Sequence, residues 1–456
     1  AQAFFGGVHP HDMKAATNEK AIEQLAPPAV VVIPMSMHFG APCTPLVKAG
    51  DHVKVGQKIG EFHGLGAPIH ASVSGTVKAV EPRPYSMGGN ITSVVIENDM
   101  QDEVSEEVQA PADPNALSVE EMVEIVKNAG IVGMGGATFP THVKITSGIG
   151  KVNTVIINGA ECEPYITGDH RTMLERPEEI IGGAKFLAKM FGVDKVVIGV
   201  EDNKRNGIDA MNKVIAEKKA PVVVEPLRCR YPQGGEKQLC QAITGRQVPP
   251  GGLPADIGCA VFNINTTCAI YRALTTGMPV VRKIVTVSGS GVVEPKNLEC
   301  PIGTPVSSLL DACGGLKDGT YKLIAGGPMM GMAQYTADIS VAKGTGAILA
   351  FCENEEKTVE NPQCIRCGKC VSVCPMHLEP LFMYQYASKG MVEELNDAHI
   401  MDCMECGACS YICPARMHLT HMFKTGKQLV KDKAAADRAA AEAKKKAEEA
   451  KEAAAK

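Results

Sequence analysis

The sequence predicts a multidomain protein of mixed α/β and α+β class. Three observations carry this. The chain has 456 residues, more than one hydrophobic core ordinarily serves, so three or four domains are expected. In its middle third, segments of strand character alternate with segments of helical periodicity, the pattern of a parallel sheet with helical crossovers. Near the C-terminus, two tight groups of four cysteines set off a region with its own chemistry.

Composition narrows the class further. The 46 glycines and 29 prolines imply many turns rather than a helical bundle. A formal charge of −5 argues against nucleic acid as the main partner. No stretch approaches the ~18 apolar residues that cross a bilayer, and the longest, at residues 29–35, contains Pro34. The opening Ala1-Gln2-Ala3-Phe4 lacks a basic region followed by an apolar segment, so no secretory signal is expected. Seventeen cysteines are many. An extracellular disulfide framework fits poorly, because such frameworks belong mostly to small secreted domains and the count here is odd. Metal-bound thiolates in a reducing compartment fit better.

From Cys43 to about Glu97 the chain reads as short strands with glycine turns. Residues 53–60 lead on to a second run at 69–77, a pattern resembling the barrel-sandwich hybrid of biotinyl and lipoyl carriers. The turn that bears the modified lysine in carriers is Gly64-Leu65-Gly66 here, so the segment is expected to be structural. Residues 101–115 are acidic and contain prolines, and read as a linker. Ser118-Val119-Glu120-Glu121 is a capping box before an amphipathic helix ending near Gly130. Strands at 154–158, 195–200 and 222–225 then alternate with helices at 177–191 and 206–218. From about Lys283 to Phe351 the pattern becomes β-rich around one helix at 306–313, similar to the β-grasp module called SLBB. The final residues from Ala434 onward are almost wholly Ala, Lys and Glu, and should form a solvated helix. Domains are therefore expected at 1–115 (with the barrel-sandwich at about 40–98), 116–280, 281–352, 353–430 and a tail at 431–456.

Cys364-x2-Cys367-x2-Cys370-x3-Cys374-Pro375 is followed by Cys403-x2-Cys406-x2-Cys409-x3-Cys413-Pro414. This is the spacing of bacterial-type 2[4Fe-4S] ferredoxin domains. Three cysteines of a run wrap one cubane and the fourth reaches the other. One cluster is therefore expected on Cys364, Cys367, Cys370 and Cys413, and the second on Cys403, Cys406, Cys409 and Cys374. Structural zinc is the alternative, but it usually pairs two short knuckles across a longer gap.

Two loops are candidate ligand sites. Gly133-Met134-Gly135-Gly136-Ala137-Thr138-Phe139-Pro140 is dense in small residues, which lets a flat ring or phosphate approach the backbone. It is not the dinucleotide fingerprint, and a simple turn is the alternative. Lys144 is near enough in sequence to meet a phosphate. Asn158-Gly159-Ala160-Glu161-Cys162-Glu163-Pro164 ends a strand, where open α/β sheets bind ligands. Glu161 and Glu163 are either ribose-binding carboxylates or exposed loop charges.

Together these pieces resemble the RnfC family of the Rnf electron-transport complex, a membrane-bound ferredoxin:NAD⁺ oxidoreductase. The opening Phe5-Gly6-Gly7-Val8-His9-Pro10, the barrel-sandwich segment, both loops, Tyr231-Pro232-Gln233-Gly234-Gly235-Glu236-Lys237 and the double cysteine motif follow the family's order. The central region also resembles the flavin subunit of respiratory complex I, which implies a Rossmann-like domain for FMN and NADH. By that resemblance Gly133, Gly135, Gly136, Lys144 and Asn158 would line FMN, and Phe139, Glu163 and Glu236 would contact NAD(H). Asn265 falls at a flavin-contacting Asn, although the Thr three residues later in relatives is Cys268 here.

The resemblance implies an NAD-dependent oxidoreductase subunit that passes electrons between NAD(H), FMN and two [4Fe-4S] clusters. A nicotinamide gives two electrons and a cluster takes one, so a flavin beside the clusters is also chemically expected. No side chain is expected to act as acid or base. Implied partners are a ferredoxin-like cluster subunit, integral membrane subunits that couple the flow to Na⁺ or H⁺ transport, and indirectly ferredoxin. Implied location is peripheral, on the cytoplasmic face of the inner membrane. Two other readings stay open: an electron-wire and docking subunit without a working nucleotide site, and a soluble NADH-dependent iron-sulfur flavoenzyme.

Overall fold

The computed structural model describes residues 4–353 and 359–454. The first three residues and the last two of the tail, on which the readings of the termini partly rest, lie outside this set, as do residues 354–358 at the expected start of the cysteine domain. The chain forms two compact units, one of residues 9–356 and one joining residues 4–8 to 357–456.

The first unit begins with two small β-sheets. One runs in the order Val30–Pro34, Asn90–Asn98, Gly75–Pro84, His52–Val53, and the other Thr44–Pro45, Lys58–Glu61, Ile69–His70. Alternating residues such as Val31, Ile33, Val94 and Ile96 point inward and are fully buried. The Gly64-Leu65-Gly66 turn joins the last two strands of the smaller sheet.

Residues 101–115 are not a free linker. Val55 and Val104 form a parallel bridge, Ser105 N–H donates to Val55 O at 2.9 Å, and the Val108 side chain covers Gly56. Val104, though exposed, is tied to the sandwich through its backbone, and Val108 supplies the apolar contact.

The central sheet is fully parallel, in the order Val222–Leu227, Val196–Glu201, Thr154–Gly159, Cys259–Asn263. Its strands are nearly continuous Val and Ile because both faces are covered by helices. Pro177–Phe191 opens with a proline in its first turn and closes at Gly192, φ 63°. Val119–Asn128 carries the expected capping box. The chain runs outward from Thr154–Gly159 through two strands on one side, then returns to place Cys259–Asn263 on the other. That reversal is a topological switch point at the carboxyl ends of Thr154–Gly159 and Cys259–Asn263, where open α/β sheets take ligands.

A mixed six-stranded sheet with the helix Val306–Ala312 completes the unit. Its edge strand, Ile22–Gln24, comes from the N-terminal region and pairs in parallel with Lys296–Pro301. The β-grasp sheet thus extends beyond residues 281–352, because an early segment supplies backbone partners to an otherwise open edge.

The second unit holds both cysteine runs. Arg366 and Glu405 occupy matching left-handed positions, φ 55° and 57°, as do Gly368 and Gly407, and then His377 and Arg416. Each run folds back on itself and ends in a short helix, Lys369–Ser372 or Ala408–Ile412. The long helix Leu419–Ala454 buries Phe423 and Val430 among Met383, Leu395 and Ile400. Its Ala, Lys and Glu side chains from 431 to 446 are exposed, as their composition requires. The glycines of the opening motif have a local reason. Gly7 N–H donates to Val373 O at 2.8 Å, and a Cβ on Gly6 would lie 2.7 Å from the same oxygen.

Candidate functional site

The glycine loop is pinched shut by a bridge between Val132 and Pro140, with Gly133 N–H donating to Phe139 O at 2.9 Å. Met134 N–H donates to Thr266 Oγ1 at 2.9 Å, tying the loop to the helix Ile264–Thr276. Gly135 and Gly136 are exposed. A Cβ on Gly136 would meet nothing within 4 Å, whereas one on Gly135 would strike Asn263. The loop is therefore a bare backbone ledge resting on a side chain. Thr138, β-branched, sits at φ 52°, a strained state costing ~1–3 kcal/mol that persists only where neighbours enforce it. Phe39 N–H donates to Thr138 O at 3.0 Å, and the Phe39 and Phe139 rings lie 6.0 Å apart.

Asn158 ends its strand with both side-chain groups engaged. Nδ2 donates to Gly234 O at 2.8 Å, and Oδ1 accepts from Ala160 N–H at 3.2 Å. The Tyr231–Lys237 segment is thereby held against the acidic loop, with Gly234 N–H also directed at Cys162 Sγ, 3.3 Å away. Lys144 and Glu236 meet as an ion pair at 2.8 Å. The Lys144 ammonium also reaches Val261 O at 3.0 Å, and Glu236 sits in the first turn of its helix, where a carboxylate is favoured.

The two carboxylates of the acidic loop part company. Glu161 adopts φ 48° and turns inward, its side chain only 4% exposed. Its Oε1 accepts from Asp169 N–H at 2.6 Å and its Oε2 from His170 N–H at 3.3 Å, so it serves the start of the helix Gly168–Glu175. Burial pushes its carboxyl up to about 7, with Lys14 opposing. Glu163 instead faces the β-grasp sheet, accepting from Met329 N–H at 3.1 Å and Met330 N–H at 3.0 Å. Burial raises it, too, to about 7, against these amides.

Asn265 donates from Nδ2 to Asp169 Oδ1 at 2.5 Å. Asn263 donates to the other oxygen, Oδ2, at 2.8 Å, and its own Oδ1 caps the helix by accepting from Asn265 N–H at 2.9 Å. Asp169 thus clamps both asparagines at the switch point.

Three buried lysines complete the site, and none has a signal in its local sequence. Lys14 donates to Glu161 O and Glu163 O, each at 3.0 Å, and to Ile166 O; burial lowers its pKa. Lys204 donates to Ala160 O at 2.7 Å beside Glu201. Lys283 donates to Met134 O at 3.1 Å, and burial lowers it to about 8 despite Asp169. All three lysines hydrogen-bond to carbonyls of the two loops.

In the second unit, two cavities are each lined by four cysteines. Cys364, Cys367, Cys370 and Cys413 line one, with Ile365, Leu381 and Met417. Cys374, Cys403, Cys406 and Cys409 line the other, with Met383 and Phe423. None of the seventeen cysteines of the chain forms a disulfide. Sulfurs spread around a cavity suit a cubane, in which each thiolate binds a different iron. Backbone amides point at the sulfurs, Arg366 N–H at Cys364 Sγ (3.3 Å), Glu405 N–H at Cys403 Sγ (3.4 Å) and Leu378 N–H at Cys374 Sγ (3.3 Å). Such bonds tune a cluster's potential.

Family models match four stretches of the chain: an RnfC barrel sandwich hybrid domain at residues 2–101, a Nuo51 FMN-binding domain at 126–272, an SLBB domain at 284–333 and a 4Fe-4S dicluster domain at 356–414. The C subunit of the Na⁺-translocating ferredoxin:NAD⁺ oxidoreductase complex of Acetobacterium woodii is 45% identical over 88% of this chain and 90% of its own. The corresponding C subunit of the proton-translocating ferredoxin:NAD⁺ oxidoreductase complex of Clostridium ljungdahlii is 43% identical over 87% of each chain. That of the ion-translocating oxidoreductase complex of Rhodobacter capsulatus is 41% identical over 82% of this chain and 73% of its own. At 41–45% identity over most of its length, this chain belongs to the RnfC family of ion-translocating ferredoxin:NAD⁺ oxidoreductase complexes.

Proposed function

We propose that this chain exchanges electrons between NAD(H) and two [4Fe-4S] clusters through FMN, as a subunit of an ion-translocating ferredoxin:NAD⁺ oxidoreductase. One observation carries the reading: a bare glycine ledge at the switch point of a parallel sheet and two four-cysteine cavities occur in one chain. Gly133, Gly135, Gly136, Lys144, Asn158 and Asn265 would hold FMN, with Asn263 and Asp169 behind them. Phe139, Glu163 and Glu236 would hold NAD(H). Bound FMN supplies the conversion between hydride and single-electron chemistry. The protein's own side chains bind, orient and exclude water; none need move a proton. Lys144, paired with Glu236 in this structure, is a cation of the site that can turn to a phosphate or flavin oxygen.

The chain's partners would be the other subunits of the complex, including membrane-embedded ones. No helix among the described residues is long and apolar enough to cross a membrane, which supports a peripheral position, and we place it on the cytoplasmic face. Anaerobically purified protein should contain one FMN per chain and about eight irons, and NADH should bleach both the flavin and the clusters. Clusters that stay oxidised under NADH would favour the electron-wire reading instead. Protease protection in intact spheroplasts, with cleavage in inverted vesicles, tests the location.

A further inference from the structure

We propose that the β-grasp loop following Thr320–Ala325 is part of the nucleotide site, and that Gly327, Met329 and Met330 are positioning residues for the Glu163 carboxylate. The proposal rests on the reading above that Glu163 contacts NAD(H). Successive amides of this loop each meet one carboxylate oxygen, Met329 N–H at Oε2 (3.1 Å) and Met330 N–H at Oε1 (3.0 Å). A carboxylate held by two backbone donors has one orientation, and hydrogen bonds to a charged group are among the stronger ones.

The loop is itself rigid. Gly326 N–H donates to Ala347 O and Gly331 N–H to Gly327 O, both at 2.8 Å. Gly327 has a separate role. A Cβ there would lie 2.2 Å from Glu163 Oε2, 2.4 Å from its Cδ and 2.8 Å from its Cγ, and these are its three nearest neighbours. The hydrogen atom at Gly327 is therefore what lets the carboxylate reach the two amides. A module lying outside the flavin domain thus sets the geometry of a residue on the flavin domain's own loop.

Gly327→Ala tests this directly. Its φ lies outside the left-handed region, and the three nearest atoms to the new methyl all belong to the Glu163 side chain rather than to backbone, so the fold should survive. In the holoprotein, with ferricyanide as electron acceptor, KM for NADH should rise on the order of tenfold, by more than kcat falls. FMN and iron content should stay at wild-type levels. In a Glu163→Ala background, Gly327→Ala should add nothing further, since the group it displaces is gone. If the single variant fails to accumulate while the double variant does, the conflict is localised to Glu163, which also supports the proposal. An unchanged KM in Gly327→Ala, or additive effects in the double variant, overturns it. If Glu163→Ala alone leaves NADH kinetics unchanged, the assignment of Glu163 to the nucleotide falls first and this inference with it.

Discussion

A Cβ atom on Gly135 would lie 2.7 Å from Asn263 Nδ2 and 3.0 Å from Asn263 Cβ. The glycine loop therefore rests directly on the residue that caps the following helix. Asn263 cannot retreat, because Asp169 holds its amide at 2.8 Å and Asn265 N–H holds its carbonyl oxygen at 2.9 Å. Gly135→Ala should push the ledge outward, at a cost of ~1–3 kcal/mol, and reduce FMN retention. Cluster iron should be unaffected. The ratio of flavin to iron after anaerobic purification checks this, and a wild-type ratio would show that the ledge is not where flavin sits.

The Lys144–Glu236 pair is 32% and 42% exposed, so it adds ~0–1 kcal/mol to stability at most. Lys144→Ala should leave the melting temperature almost unchanged. Its effect should appear in ligand binding, as weakened FMN retention and an NADH response that is less sensitive to salt than that of the wild type. A large loss of thermal stability with normal flavin content would instead make Lys144 a structural residue.

Glu163 has its carboxyl raised to about 7 by burial. An acid raised above its ordinary value favours the fold in its protonated form. That contribution is complete below about pH 4.5 and is lost as pH rises through 7. Binding runs the other way, since an ionised carboxylate is the better acceptor for hydroxyl groups of a ribose. KM for NADH should therefore fall as pH rises through about 7, while the unfolding midpoint declines slightly. Glu163→Gln should raise KM and flatten its pH profile near 7. An inflection that survives in Glu163→Gln belongs to another group.

How much of this was legible beforehand depended on distance along the chain. The cysteine runs stand out because a cubane needs ligands at fixed short spacings, and in the structure the cavities group Cys413 with the first run and Cys374 with the second. The parallel sheet was readable from its Val and Ile runs. Lys14, Met329 and Met330 were not, because each meets the acidic loop across about 150 residues or more of intervening chain. Glu161 and Glu163 looked alike in sequence, two residues apart. A left-handed residue at 161 turns the first carboxylate into the protein and leaves the second facing the β-grasp loop. Residues 101–115 read as a linker because acids and prolines outnumber the two valines that anchor them.

Glu201 and Lys204 are each 1% exposed and 3.1 Å apart. Lys204 also holds Ala160 O, so the pair supports the acidic loop from below. Burial works to lower the Lys204 pKa, but Glu201 and Glu161 outweigh it and the ammonium stays charged. Glu201→Ala would leave that charge buried without the carboxylate it is paired with. The expected cost is ~3–5 kcal/mol, read as a fall in the denaturation midpoint, with looser NADH binding in the surviving folded protein. A loss below ~1 kcal/mol would mean that Glu161 alone compensates Lys204.

The crossed arrangement of the cysteines makes a prediction that a sequential one does not. Cys413 lines the cavity of Cys364, Cys367 and Cys370, although it closes the second run. Cys413→Ala should therefore lower the iron count from about eight toward four and free the thiols of the first run, not its own. Alkylation of the folded variant with iodoacetamide, followed by mass spectrometry, distinguishes the two cases. Cys364 and Cys367, both exposed, should become labelled while Cys403 and Cys406 stay protected by the remaining cluster. Cys374→Ala should give the reciprocal result, with the first run protected and the second freed, though more slowly, since Cys406 and Cys409 are buried. Labelling of Cys403 in the Cys413→Ala protein would mean that each run binds its own cluster and that the two cavities do not report the ligand sets.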